Sequence, residues 1–237
     1  MESTIFDMKT ASEFDYQWRN LPDPALEYSV ARVDELLKMT GLEGEWFKGK
    51  LCLDAGCGNG RYTWAMMQMG AQVDSIDTSP TAVQKTRKIN QRNTNLESIF
   101  QLSDLPKYDL VWSYGVIHHT PLPEIAFEFL TQTVRPGGYL FVMVYHKDTQ
   151  RQYEALRVVF RHLPERMRLP FVQALVKFLN WRRPENNNTV HGWWDALNPK
   201  YNYGFQPQEI REWFKEEGFE AVTMTQELNI CMIGKKQ

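Results

Sequence analysis

Between residues 51 and 145, short apolar runs alternate with stretches in which apolar residues recur every three or four positions. This is the pattern of βαβ units and a mostly parallel sheet. Strands are predicted at 51–54, 72–76, 98–102, 110–113 and 139–145. Between the first two, Tyr62, Ala65, Met66 and Met69 follow the i, i+3, i+4, i+7 spacing of a helix with one buried face, which Gly70 ends. Leu122, Ile125, Ala126, Phe129 and Leu130 repeat that spacing before Pro136, Gly137 and Gly138 turn the chain into the next strand.

The pattern changes after Tyr145. A basic helical stretch runs from 150 to 183, and a loop rich in Asn, Trp and Tyr follows from 184 to 206. Beyond it, Ile210, Trp213 and Phe214 mark a helix, and Val222, Met224, Leu228, Ile230 and Met232 mark two closing strands joined by a turn. Ahead of the first strand lies an irregular start and a helical segment (Val30, Val33, Leu36, Leu37) ending near Gly41. The expected organisation is a single α/β domain over 1–237, with an N-terminal cap at 1–48 and a lid insertion at about 147–206. With 237 residues, 43% of them apolar, the chain is long enough for one well-buried core.

Candidate chemistry is concentrated in Asp54-Ala55-Gly56-Cys57-Gly58-Asn59-Gly60, a glycine-rich turn between the first strand and a helix. Glycines let a ligand approach the backbone, and the helix N-terminus offers N–H groups. The spacing differs from the G-x-G-x-x-G of dinucleotide sites, and the carboxylate of Asp54 would repel a pyrophosphate but suit an ammonium. The second strand ends in Asp77, about twenty residues on, where a carboxylate can accept from both ribose hydroxyls. Ser103, Asp104 and Leu105 follow the third predicted strand, with Asp104 suited to an adenine amino group and Leu105 to the ring. Any one of these carboxylates is also an ordinary turn residue. Together, at successive strand ends and without a phosphate-binding lysine, they describe an adenosine with a cationic tail.

The runs LDAGCGNG, SIDTSP, SDLPKYDLVWSYGVIHHTP and VRPGGYLFVMVYH resemble the class I S-adenosylmethionine-dependent methyltransferases in order and spacing, strongly over residues 45–146. The resemblance implies a Rossmann-like sheet of seven mostly parallel strands with helices on both faces, the last strand antiparallel. It implies a methyltransferase with S-adenosylmethionine as cofactor. Asp54, Ala55, Gly56 and Gly58 would then surround the methionine part, Asp77 and Thr78 the ribose, and Ser103, Asp104 and Leu105 the adenine, with Tyr114 beside the transferable methyl group. Phe14-Asp15-Tyr16-Gln17-Trp18 is similar to a segment that folds over the cofactor in a subset of these enzymes. Tyr16 and Trp18 are its candidate contacts, and an aromatic anchor for the N-terminus is the alternative.

Methyl transfer requires a nucleophile held in line with the methyl carbon and, for a protonated nucleophile, a base. His119, in Ile117-His118-His119-Thr120 after the fourth strand, is the candidate base; a bond to the loop backbone is its plain alternative. His118, His191, Trp193, Tyr201 and Tyr203 are the candidate acceptor-binding residues, the last four from the insertion. The acceptor is expected to be a small molecule, anionic or aromatic, with an oxygen, nitrogen or carbon nucleophile. Gly-Val-Ile-His-His also resembles the ubiquinone and menaquinone methyltransferases, which implies a lipid or quinone acceptor as the alternative. A non-catalytic cofactor-binding module is the reading from another class.

Charge and composition narrow this further. The formal charge of −2 argues against general affinity for nucleic acid. Residues 150–183 nonetheless hold eight Arg and Lys against Glu154 and Glu165, the make-up of a lid facing an anionic acceptor or a membrane surface, or of a solvated helix. Three cysteines at wide spacing, and five histidines without paired ligand spacing, predict reduced thiols and no metal. The N-terminus lacks the pattern of a signal peptide, so the cytoplasm is the expected location. Oligomeric state is left open.

Overall fold

A computed structural model describes residues 8–21, 28–104, 107–226 and 229–237, with side chains described except at 8, 9, 103 and 104. Seven strands form one sheet in the order β3-β2-β1-β4-β5-β7-β6. They are β1 (Leu51–Ala55), β2 (Gln72–Asp77), β3 (Asn93–Leu96), β4 (Tyr108–Tyr114), β5 (Val134–Val144), β6 (Phe219–Gln226) and β7 (Ile230–Lys236). The first five are parallel, and β7 runs antiparallel to both β5 and β6, as the resemblance implied.

Period-two alternation along the central strands divides the core into two layers. Cys52, Leu110, Trp112, Phe141 and Met143 face α2 (Val30–Thr40) and α3 (Arg61–Gln68). Leu53, Val111, Leu140, Val142 and Val144 face α5 (Pro123–Thr133) and α9 (Pro207–Glu216). The remaining helix beside the sheet, α4 (Pro80–Arg87), follows β2, and Ser79 caps it by accepting the N–H of Ala82 at 3.1 Å.

Two sequence expectations are corrected. Residues 98–102 are no strand: Ile99–Asp104 forms a 3-10 helix that buries Ile99 and Leu102, three residues apart, and β3 lies earlier. That strand, Asn93-Thr94-Asn95-Leu96, pairs on one side only and buries only Thr94, so no apolar run announces it. The segment at 184–206 is not all loop. Thr189 caps α8 (Val190–Leu197) by accepting the N–H of Gly192 at 3.0 Å, and Val190, Trp193, Trp194 and Leu197 have helical spacing. Leu228 lies outside the described residues.

Between β5 and α9 the chain thus forms α6 (Lys147–His162), α7 (Glu165–Arg182) and α8, which enclose a third, smaller core of Phe160, Val172, Val176, Trp194 and Leu197. Leu21, which follows α1 (Met8–Asn20), completes this core, so the N-terminal helix and the insertion are packed together.

Candidate functional site

A cavity of about 270 Å³ opens at the carboxyl ends of β1, β2, β4 and β5, where parallel α/β sheets bind ligands. Its floor includes Gly56, Ile76, Asp77, Tyr114, Gly115 and Met143. Its roof comes from α1 (Phe14, Gln17, Trp18) and α8 (His191, Gly192, Asp195).

The glycine turn is held from below by the carbonyl of Ile76, which accepts the N–H groups of Gly56 and Cys57, each at 2.9 Å. Gly58 has φ +57°, and a Cβ there would lie 2.4 Å from the Trp18 ring, so glycine is required both for the backbone and for the approach of α1. Asp77 lines the cavity and accepts from the N–H groups of Gly58 (2.9 Å) and Ser79 (2.8 Å). Burial pushes its carboxyl up to about 6, even though these bonds favour the anion. Glu97, after β3, also lines the cavity, and burial raises its pKa.

Asp54 is placed differently. It lies inside the sheet layer, away from the cavity lining, and accepts from the Thr63 hydroxyl at 2.6 Å. Burial raises it to about 6, against that bond. Ala55 is fully buried, and Gly58 meets Trp18 rather than the cavity. Thr78, Trp18, Gly56 and Tyr114 are on the lining; Tyr16 instead stacks on Trp194 with centroids 5.3 Å apart. Ser103 and Asp104 sit at the end of the 3-10 helix, and Leu105 falls outside the described residues.

Arg61, absent from the sequence expectations, opens α3 and lines the cavity. Its guanidinium lies over the rings of Tyr62 (4.9 Å) and Tyr114 (5.4 Å), and no carboxylate among the described residues is within ion-pair distance of it.

The polar end of the cavity is a buried cluster. His119, 4% exposed, places Nδ1 2.9 Å from the carbonyl of Tyr201 and Nε2 3.6 Å from Asp195. A carbonyl only accepts, so Nδ1 carries the proton. The Tyr145 hydroxyl donates to Asp195, and the Gln17 amide approaches the same carboxylate at 3.4 Å while lying 2.9 Å from His191 Nε2. Burial alone would raise Asp195, but the adjacent His119 imidazole and the bond donated by Tyr145 hold it well below the usual carboxylate range. Burial and the adjacent Asp195 carboxylate push the Tyr145 phenol well above its ordinary value. His118 is fully buried behind this cluster, with ring centroids 4.0 Å from Tyr145 and 4.1 Å from His119. Burial, with the His119 ring beside it, depresses its pKa, leaving it neutral.

Of the five expected acceptor residues, His191 lines the cavity. Trp193 points elsewhere, packing on Tyr153 and donating to Asn188 at 3.0 Å. Tyr201 and Tyr203 stack on each other outside the cavity; their backbone serves it, the Tyr201 carbonyl holding His119 and the Tyr203 N–H bonding the His118 carbonyl at 3.0 Å. Asp195, Tyr145 and Gln17 went unselected because nothing local in sequence marks them: they sit in or beside aromatic runs and meet only in three dimensions.

The donor set fits an adenosyl ligand with a zwitterionic tail. Asp77 suits a diol, the guanidinium of Arg61, without an ion-pair partner among the described residues, suits a carboxylate, and the aromatic rings of Tyr114 and Phe14 on the lining suit a cationic sulfur.

The chain is similar to an Azoarcus sp. (strain BH72) ubiquinone biosynthesis O-methyltransferase, 26% identical over 151 residues, which is 60% of this chain and 63% of that protein. It thus spans somewhat less than two thirds of that relative. Among solved structures it resembles the magnesium protoporphyrin IX methyltransferase of Synechocystis PCC 6803 with bound SAM (17% identity, 98% of each chain, TM-score 0.59). It also resembles an N-methyltransferase of Bradyrhizobium japonicum WM9 in complex with S-adenosyl-L-homocysteine (14% identity, 95% of this chain and 96% of that one, TM-score 0.59). These two likenesses establish the shared fold. The family model described as a methyltransferase domain matches residues 28–224, most of the chain, and the protein belongs to that family.

Proposed function

We propose that this protein is an S-adenosylmethionine-dependent methyltransferase acting on the oxygen, nitrogen or carbon nucleophile of a small molecule. The observation that carries the proposal is one roofed cavity that joins Asp77 and Arg61 to the buried cluster of His119, Asp195 and Tyr145. When bound, the cofactor supplies an electrophilic methyl group on a sulfonium. On this reading Asp77 would hold the ribose hydroxyls, Arg61 the methionyl carboxylate, and Tyr114, also on the lining, the sulfonium end. Phe14, Val116 and Pro121 exclude water from the reacting centre.

His119 serves as the base. With its proton on Nδ1 toward Tyr201, the lone pair is on Nε2, and Asp195 beside Nε2 stabilises the imidazolium formed when Nε2 takes the acceptor's proton. Tyr145 fixes that carboxylate by donating to it. An oxygen nucleophile on an aromatic ring is favoured, in view of the aromatic lining and the similarity to a ubiquinone biosynthesis O-methyltransferase. A quinone-type acceptor is the lipid-soluble version of the same reading.

Calorimetric titration with S-adenosylmethionine, S-adenosylhomocysteine and a nicotinamide dinucleotide tests the cofactor, and phenolic acceptors test the transfer. Adenosyl ligands alone should bind, Asp77→Ala should weaken them roughly ten- to a hundredfold, and His119→Ala should lower kcat about a hundredfold or more with cofactor affinity retained. Adenosyl binding with no transfer to any acceptor would leave the non-catalytic module as the better reading.

A further inference from the structure

Helix α7 carries apolar residues on two opposite faces. Its inner face buries Val172 and Val176 in the third core. On the other side, Met167, Pro170, Ala174, Phe178 and Trp181 recur at steps of three, four, four and three, which aligns them in one stripe about 21 Å long. The stripe is open to solvent, with Met167 50%, Phe178 54% and Trp181 75% exposed. Arg166 and Lys177 flank it on one side and Arg182 on the other, with Arg183 just beyond, all exposed. None of these four pairs with a carboxylate among the described residues, and Glu165 is the sole acid in the helix.

We propose that α7 lies flat on an anionic phospholipid surface, with Met167, Phe178 and Trp181 in the acyl–headgroup boundary and the arginines and Lys177 on lipid phosphates. The composition is that of an interfacial helix, with a basic rim around an apolar stripe and an indole at its end. Among the described residues no helix is long and apolar enough to cross a membrane. A second copy of the chain fits poorly, because two-fold pairing of this face would set its cationic rim against itself. Each basic residue near an anionic bilayer contributes roughly fivefold to partitioning, which makes the contact sensitive to salt. Helix α7 packs on α8, whose other side bears His191 and Asp195 on the cavity, so docking brings the roof of the cavity to the lipid surface. This surface stands independently of the methyl-transfer reading.

The test is flotation of the purified full chain with vesicles of phosphatidylcholine alone and of phosphatidylcholine mixed with phosphatidylglycerol, at low and high salt. Binding is expected to the anionic vesicles at low salt and to be lost at high salt. Phe178→Ser with Trp181→Ser, and separately Lys177→Glu with Arg182→Glu, should each reduce it roughly tenfold or more while circular dichroism and cofactor titration stay unchanged. No flotation with anionic vesicles at low salt overturns the proposal, as does flotation that neither pair of substitutions weakens. A concentration-dependent dimer in sedimentation, abolished by the Phe178 and Trp181 pair in a protein that does not float, assigns the face to a second copy and also overturns it.

Discussion

Asp54 and Asp77 end neighbouring strands and are both pushed up to about 6 by burial, yet one faces Thr63 inside the fold and the other faces the cavity. For Asp54 the consequence is for stability. A carboxyl whose folded value lies above its unfolded 3.8 favours the folded state fully below that value and loses the contribution as pH rises through about 6. Near pH 7 the buried anion costs about 3 kcal/mol. Asp54→Asn keeps an acceptor for the Thr63 hydroxyl without the charge, so urea midpoints from pH 4 to 7 should flatten relative to the parent chain. A variant with the parent's slope would show that Asp54 is not the titrating group. Asp195 has the opposite sign: its depressed value contributes stability above the ordinary carboxylate range, lost as pH falls below it.

At the scale of elements, α1 is tied to α4 by side chains from both helices: Lys85 of α4 donates to the carbonyl of Trp18, and Asp15 of α1 reaches the other way. Asp15 accepts from the Ser79 hydroxyl and the Thr81 N–H, each at 2.8 Å, at the N-terminus of α4. These bonds, with Arg19 nearby, hold its carboxyl below the usual range despite its partial burial. The same helix then lays Trp18 across Gly58 and sends Phe14 and Gln17 to the cavity. Asp15→Ala should cost about 1 kcal/mol, seen as faster proteolysis at α1 and several-fold weaker binding of adenosyl ligands, with the far side of the sheet unaffected. Unchanged cleavage and affinity would mean that the Lys85 bond to the Trp18 carbonyl and the ring contacts hold α1 down without Asp15. In the sequence, the aromatic stretch at 14–18 was visible as a possible cover; its latch was not, because Asp15 and Ser79 are 64 positions apart.

For the whole molecule, the cavity depends on segments from both ends of the chain, since Gln17 meets His191 across 174 residues and Leu21 enters the core of α7 and α8. A ligand filling the cavity touches the sheet, α1 and α8 together and binds the folded state alone. S-adenosylhomocysteine at a hundred times its Kd should therefore add about 2.7 kcal/mol, read as a rise in Tm of about 5–10 °C. A rise with a nicotinamide dinucleotide in its place would reassign the site.

The sequence by itself determined the central sheet and the glycine turn. Alternation of apolar residues encodes which face of a strand is buried, and the positive φ of the turn favours glycine at Gly58, so both are written locally. It also marked Asp77, the last residue of β2, and His119, in the short 3-10 helix that follows β4. The polar strand β3 and helix α8 were hidden because one lacks an apolar run and the other lies in a stretch dense in turn-forming residues. Tertiary structure alone decided that Asp54 turns inward, that Arg61 reaches the cavity, and that Asp195, Tyr145 and Gln17 converge on His119 and His191. Such groupings join residues far apart in the chain, and their charge states follow from burial and neighbours that only the folded chain supplies.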